Sequence, residues 1–379
     1  MKLTLQQGDL HMAFLKNWLR RKDVACTFQR YGIDALGAMA QGLFCTLLVG
    51  TILNTLGTQL HIGFLTRTIV TLRAGGQEIG YTIGGLASLM VGPGIATAIG
   101  CALHGPSLVL FSLIPVGFAA NAMGGSGGPL AVYVVAIVAC ELGKLVSRET
   151  RVDILVTPLV TILSGIGVAA LVATPIGRAA NAVGQAIMWA TELQPLLMGV
   201  LVSVLIGMAL TLPISSAAIC ASFGLIGLAG GAAVAGCCAQ MVGFAVMSFR
   251  ENGWGGLVAQ GIGTSMLQMP NIVKNPRVWI PPTLASAITG PIATCLFHLE
   301  MNGSPVSSGM GTCGFVGQIG VYTGWVSDVA SGAKAAITAM DWLGLALVCF
   351  VLPAVLSVVF TAVLRRWGWI GRDDLKLEL

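Results

Sequence analysis

Two stretches of this chain are too long without a charge to belong anywhere but a membrane. Residues 79–140 contain no Asp, Glu, Lys or Arg over 62 positions, and residues 193–249 contain none over 57. One spanning helix needs about 20 apolar residues, so each gap holds more than one span. Only 9% of the residues are charged, 55% are hydrophobic, and the mean hydropathy is +0.87. A soluble domain carries about 25% charged residues, and so few cannot cover a water-exposed surface. This excludes a cytosolic enzyme, a nucleic-acid binder and a disordered chain. It leaves an all-α polytopic membrane protein. The 51 glycines fit that class, because small residues let helix backbones approach closely in lipid.

The cysteines do not form a framework. Cys45, Cys101, Cys140, Cys220, Cys237, Cys238, Cys295 and Cys349 sit in apolar runs, with no CxxC and no Cys/His spacing that would hold a metal. They read as small buried hydrophobes. No metal and no cofactor is expected.

Residues 1–32 are the most polar stretch and form the first segment; 33–364 form the membrane domain and 365–379 a polar tail. In the first segment Met12, Phe14, Leu15, Trp18 and Leu19 recur at helical spacing beside Arg20, Arg21 and Lys22. That pattern suits either a short amphipathic helix on the membrane surface or a solvated basic flank. Ten spans are expected, at about 33–58, 79–101, 106–123, 129–146, 154–176, 196–212, 214–229, 231–249, 279–299 and 341–364. Under that count 16 of the 20 Lys and Arg residues face the side of the termini, which predicts cytoplasmic termini by the positive-inside rule.

Three stretches are too broken for plain spans. Residues 121–129 read NAMGGSGGP. Residues 250–277 read RENGWGGLVAQGIGTSMLQMPNIVKNPR, and 300–328 carry no charge between Glu300 and Asp328 yet are rich in Gly, Ser, Thr and Asn. Irregular backbone at membrane depth is tolerated only inside protein or beside a wet cavity, and broken segments of this kind form transporter sites. GGSGGP at 124–129 and GSPVSSGMG at 303–311 suggest an internal (inverted) repeat of about five spans.

The candidate site residues follow from these breaks. Glu300 ends an apolar span in CLFHLE and could accept hydrogen bonds from ligand hydroxyls or carry a proton; an interfacial role at a helix end is the alternative. Asn302 beside it donates and accepts. His104, in LHGPS, lines a cavity or packs at an interface. Asn121, Gln240, Asn271 and Gln318 are neutral amides in or near the breaks. Amides and carboxylates suit an uncharged polyol, since each hydroxyl needs a donor and an acceptor. Glu141 and Lys144 lie three apart, which predicts an ion pair on one helix face. There is no Walker A motif and no HExxH, so ATP is not the direct energy source.

Long runs carry a family resemblance. MALTLPISSAAICASFGLIGLAGG, then the stretch from CCAQMVGFAVMSF through WIPPTLASAITGPI, then GMGTCGFVGQIG and the tail WGWIGRDDLKL resemble the second type of phosphotransferase-system membrane subunit (EIIC), including the perfringolysin-regulator-like membrane proteins. The likeness covers nearly everything after the first 30 residues. It implies a homodimeric inner-membrane subunit that moves a carbohydrate by alternating access, with separate EIIB and EIIA proteins as phosphoryl donors. In such relatives a loop His and a Glu of a re-entrant hairpin hold the sugar, and His104 and Glu300 are the nearest matches by type. The GITE-like signature of glucose-type subunits is replaced here by HLEMNG. Two other readings stay open from the residues: a membrane-bound sensor without net transport, and an ion-coupled secondary transporter.

Overall fold

The computed structural model describes residues 17–74 and 77–377. The first apolar stretch folds as one 30-residue helix, α1 (Arg30–Gln59), with π turns at Arg30–Asp34 and Phe44–Leu48. After it comes a small hairpin of β1 (Val70–Ala74) and β2 (Gln77–Tyr81), in the register Val70↔Tyr81, with Arg73 Nη2 2.5 Å from Glu78. The span expected from residue 79 therefore begins as a strand. Helix starts only at α2 (Ile83–Leu89), where the Thr82 hydroxyl accepts from Gly85 N at 3.0 Å and fills the N-cap role. A 54° bend leads into α3 (Val91–Ala102).

The next element is a helical hairpin, α4 (Ser107–Gly124) and α5 (Gly128–Val146). Gly125 turns the chain at φ 54°, ψ −124°, a conformation that is strained for any residue with a Cβ. The helices then run back along each other, so that a Cβ on Gly143 would meet the Val109 side chain at 3.0 Å. GGSGGP is thus a tight helix–helix turn, whereas GSPVSSGMG forms one helical turn, Pro305–Ser308, within a loop. The two echoes have different structures.

α6 (Asp153–Thr191) is 39 residues long and passes through Pro158 and Pro175. α7 (Pro195–Thr211) follows. The span expected at 214–229 is not one: Pro213 ends α7, and only α8 (Ser216–Ser222), seven residues capped by Ser215, is helical before the chain turns again. α9 (Gly227–Met247) is nearly all buried, as the central helix of the second half. The 250–278 stretch breaks into α10 (Phe249–Val258), a π turn, a 3-10 turn and α11 (Met269–Lys274). α12 (Ile280–Pro291), α13 (Val316–Ser331) and α14 (Ala339–Arg366) complete the chain.

Among the described residues, five helical stretches are long and apolar enough to cross a membrane, and the α2–α3 pair makes a bent sixth. One of the five, Ser107–Val146, is the α4–α5 hairpin, whose arms have 18 and 19 residues. α1, α3, α4, α5 and α6 pack as one bundle; α7, α12 and α14 pack around α9 as another, and α6 touches α7. α9 approaches the second broken stretch at Gly231, where a Cβ would lie 1.6 Å from the Leu299 carbonyl oxygen.

Met12, Phe14 and Leu15 lie outside the described residues. Trp18 and Leu19 fall in a helical turn at 17–21 that is docked on the protein. Lys22 donates to Ser147 O and sits 2.5 Å from Glu149. Lys144 Nζ donates to Asp23 O at 2.6 Å and pairs with Glu141 at 3.0 Å, as the three-residue spacing predicts. Cys140, Cys220, Cys237, Cys238, Cys313 and Cys349 are buried. Cys45, Cys101 and Cys295 are instead exposed on the outside of the chain, because an apolar run in a spanning helix also covers the helix face turned away from the core.

Candidate functional site

Two polar cavities lie at opposite ends of α1. The C-end cavity measures about 380 Å³, within the range of small-molecule sites. α1 contributes Thr51, Asn54, Thr55, Thr58 and Gln59, and the second broken stretch with the start of α13 contributes Ser304, Ser307 and Thr323. None of the lining residues is charged. The α1 residues recur at i, i+3, i+4, i+7 and i+8, which puts them on one helical face.

Their hydrogen bonds give this wall a definite polarity. Thr51 Oγ1 donates to Leu47 O at 2.8 Å, Thr58 Oγ1 to Asn54 O at 2.8 Å, and Thr323 Oγ1 to Gly320 O at 3.1 Å. Each of these hydroxyls uses its proton within its own helix and keeps lone pairs to accept with. Asn54 Oδ1 accepts from Thr82 Oγ1 at 2.6 Å, which leaves its NH₂ as the donor. Among the described residues, the hydroxyls of Thr55, Ser304 and Ser307 have no protein partner. The cavity therefore offers both donors and acceptors without charge.

The N-end cavity, about 320 Å³, is different in kind. It is lined by Asp34, Gln41, His104, Asn271, Lys274 and Lys376 among apolar groups. His104 closes α3 in a left-handed conformation, φ 56°, with Gly105 N bonded back to Gly100 O at 2.8 Å. It thus fills a helix C-cap position more usual for Gly or Asn, and His298 (φ 46°) follows a helical turn in the same conformation. The exposed ring of His104 holds Asp23 Oδ2 at 3.1 Å. Arg30, assisted by His104 and opposed by partial burial, holds the Asp23 carboxyl far below the usual carboxylate range.

The residues singled out from sequence divide between several places. Glu300 is exposed; Asn302 donates to Glu300 Oε2 at 3.0 Å and to Asp328 Oδ2 at 2.9 Å. This carboxylate–amide–carboxylate group lies beside the C-end cavity without lining it. The run behind it is not in bulk solvent: Ser307, Ser308, Thr312 and Cys313 are buried. His104 and Asn271 share the N-end cavity. Gln240 is fully buried; its Oε1 accepts from Trp279 Nε1 at 2.9 Å and its Nε2 donates to Thr283 at 3.3 Å. Gln318 is buried with its Nε2 at 3.1 Å from Cys238 Sγ and no partner for its Oε1. Asn121 packs against Gly128 across the α4–α5 turn.

Sequence reasoning missed the C-end wall of α1. The signal was there in TILNTLGTQ, where five polar residues keep helical spacing inside an expected span. One pattern carries no chemistry. Gly124–Gly128 spells GxSxG, but a helix rather than a strand precedes Ser126, and its hydroxyl donates to Asn181 Oδ1 at 2.8 Å.

Long apolar helices, broken segments buried between them and polar cavities at the two ends define a membrane protein with the anatomy of a carrier. The family model described as "Phosphotransferase system, EIIC" matches residues 33–377, nearly the whole chain. The chain belongs to that family. It is a membrane transport component of a phosphotransferase system, and membership implies a sugar substrate and partnership with EIIB and EIIA proteins. No curated protein and no solved structure matches it.

Proposed function

We propose that this chain carries a small uncharged sugar across the bacterial inner membrane by alternating access, with the C-end cavity as its sugar site. The observation that carries the reading is the lining of that cavity. Eight hydroxyl or amide residues and no charge face one small volume, and a sugar hydroxyl is matched by one donor and one acceptor of this kind. An anionic solute would want a cation there, and the cavity has none.

The rest of the proposal follows the fold. Counting α2–α3 as one bent span, and α1, α4, α5, α6, α9, α12 and α14 as one each, gives eight crossings with cytoplasmic termini, while α7 with α8, and the 300–331 run with α13, each enter and return on the side of the C-end cavity. The N-end cavity then opens on the cytoplasmic side, where a phosphorylated EIIB would transfer its phosphoryl group to a hydroxyl of the sugar as it leaves. Phe44, pressed on Gly263, lies along α1 between the two cavities; it forms the closed section of the path. Glu300 and Asn302 act at the mouth of the sugar site, and His104 and Asn271 at the exit. Gln240, Gln318 and Asn121 act behind the walls. The working unit is a homodimer.

The test is equilibrium binding of a panel of neutral hexoses, pentoses and polyols to the purified protein, followed by uptake into proteoliposomes loaded with EIIB, EIIA, phosphoenolpyruvate and the proteins that pass its phosphoryl group to EIIA. Asn54→Leu is expected to lose binding of whichever sugar the parent protein takes. If no neutral sugar binds, or if binding survives both Asn54→Leu and Thr58→Val, the sugar site is not here. Unchanged transport in Glu300→Gln removes Glu300 from the mouth.

A further inference from the structure

We infer that residues 369–377 are an intramolecular strap that covers one wall of the N-end cavity and must lift for that end of the path to open. The inference rests on the two-cavity reading above, and it starts from the amides of the first broken stretch. They form a relay. Gln260 Nε2 donates to Ser248 Oγ at 2.9 Å, Gln268 Nε2 to Gln260 Oε1 at 2.8 Å, and Asn271 Nδ2 to Gln268 Oε1 at 2.8 Å. The relay ends on main chain far away in sequence. Gln268 Nε2 also donates to Leu375 O at 3.0 Å, and Asn271 Nδ2 to Lys376 O at 2.9 Å. Asn252 grips from the other side: its Nδ2 donates to Leu375 O and its Oδ1 accepts from Leu377 N, each at 2.8 Å.

The grips fall on backbone groups, with side-chain pockets beside them, and the segment itself turns: Lys376 N donates to Asp373 O at 3.1 Å. The pockets are present, since Leu375 is fully buried and Ile370 nearly so. Farther back, Asn275 holds Trp369 O and Asp374, and Arg277 lies over the Trp369 ring. Between those anchors Gly371, Arg372, Asp373 and Lys376 are exposed, and no helix or strand ties the segment to its neighbours. Every grip just named comes from one broken stretch, 252–277, so a shift of that stretch releases them together.

The placement gives the strap a consequence. Lys376 lines the N-end cavity, and it also lines a second, basic pocket of about 480 Å³ that contains Arg250, Arg365 and Arg372. The strap is the partition between them. Lifted, it merges the two volumes into one open vestibule; in place, it keeps them apart and covers the wall of the N-end cavity at Lys376 and Leu377.

The test needs no substrate, so it stands or falls apart from the sugar assignment. Ala38, which lines the N-end cavity and is 9% exposed, becomes the reporter. Ala38→Cys is placed in a full-length background whose exposed Cys26, Cys45, Cys101 and Cys295 are serine. The rate of labelling by a charged maleimide is read in nanodiscs by mass spectrometry. Asn252→Ala with Asn271→Ala is expected to raise that rate about tenfold, the change that follows from a tenfold shift in the open population. A reversible clamp, Asn252→Cys with Leu377→Cys, is expected to slow labelling when oxidised and to restore it on reduction. The clamp keeps the strap seated, so it decides the matter if the release variant misfolds. A rate at Ala38→Cys that does not differ between the oxidised and reduced clamp overturns the strap.

Discussion

The two broken stretches, 250–278 and 300–328, look alike in sequence and are used in opposite ways. Both are rich in Gly and in uncharged polar side chains, and both fall between long apolar runs. In the first, Asn252, Gln260, Gln268 and Asn271 satisfy one another and the main chain at 375–377. In the second, Ser304 and Ser307 face a cavity with no protein partner among the described residues. Amides turned on the chain itself make structure, whereas hydroxyls left facing a void make a site. Composition does not separate these cases; only the bookkeeping of donors and acceptors does.

Four experiments bear on that contrast, beginning with the largest effect. Gly231→Ala places a Cβ 1.6 Å from the Leu299 carbonyl, backbone against backbone with nothing flexible to yield. The expected result is little or no folded protein after purification, read by size-exclusion chromatography. A normal yield would mean the second stretch is not held rigidly against α9. Next, Leu375→Ala removes a fully buried side chain and is expected to cost about 2–5 kcal/mol, read as a lowered melting temperature.

The third experiment divides the stretches directly. Gln268→Leu strips the hydrogen bonds of a buried relay and is expected to cost about 1–3 kcal/mol of stability without altering the affinity of the C-end cavity. Asn54→Leu is expected to do the reverse, with a binding loss of about tenfold or more and a melting temperature close to that of the parent. If both variants lose stability and neither loses affinity, the contrast fails.

The smallest effect concerns acid. Arg30 holds Asp23 deprotonated in the folded protein to well below its unfolded value, which is about 3.9. Its contribution is therefore present above about pH 4 and fades as pH falls below that. Asp23→Asn is expected to flatten the acid end of the stability curve slightly, because the carboxyl is mostly exposed. Occupancy of the uncharged C-end cavity is expected to be the same in both proteins across that range.

Much of the fold was legible. The charge-free runs located α3, α4, most of α5 and α7 to α9 as membrane material, and the pairing of Glu141 with Lys144 follows from spacing alone. The site was legible in class and misplaced in detail. Polar residues in broken segments were weighted above polar residues inside a clean helical pattern, so Thr51, Asn54 and Thr58 went unremarked while Gln240 and Asn271 were favoured. Gln240 is matched by Trp279, Thr283 and Thr211, partners from distant positions that no local window can reveal. The span expected at 214–229 failed because hydropathy does not register the turns after Pro213. The tail's role was invisible for a related reason: WGWIGRDDLKL is polar by composition and is buried only where Ile370 and Leu375 meet residues some hundred positions away.

α6 leaves a mechanical consequence. At 39 residues it is about 58 Å long, nearly twice the roughly 30 Å hydrocarbon layer. It must lean steeply or stand clear of the lipid by several turns. It is also the helix that links one bundle to the other, so bilayer thickness would set its tilt and, through it, the angle between the two halves. Reconstitution into lipids of graded acyl length would then tune how readily the carrier rocks.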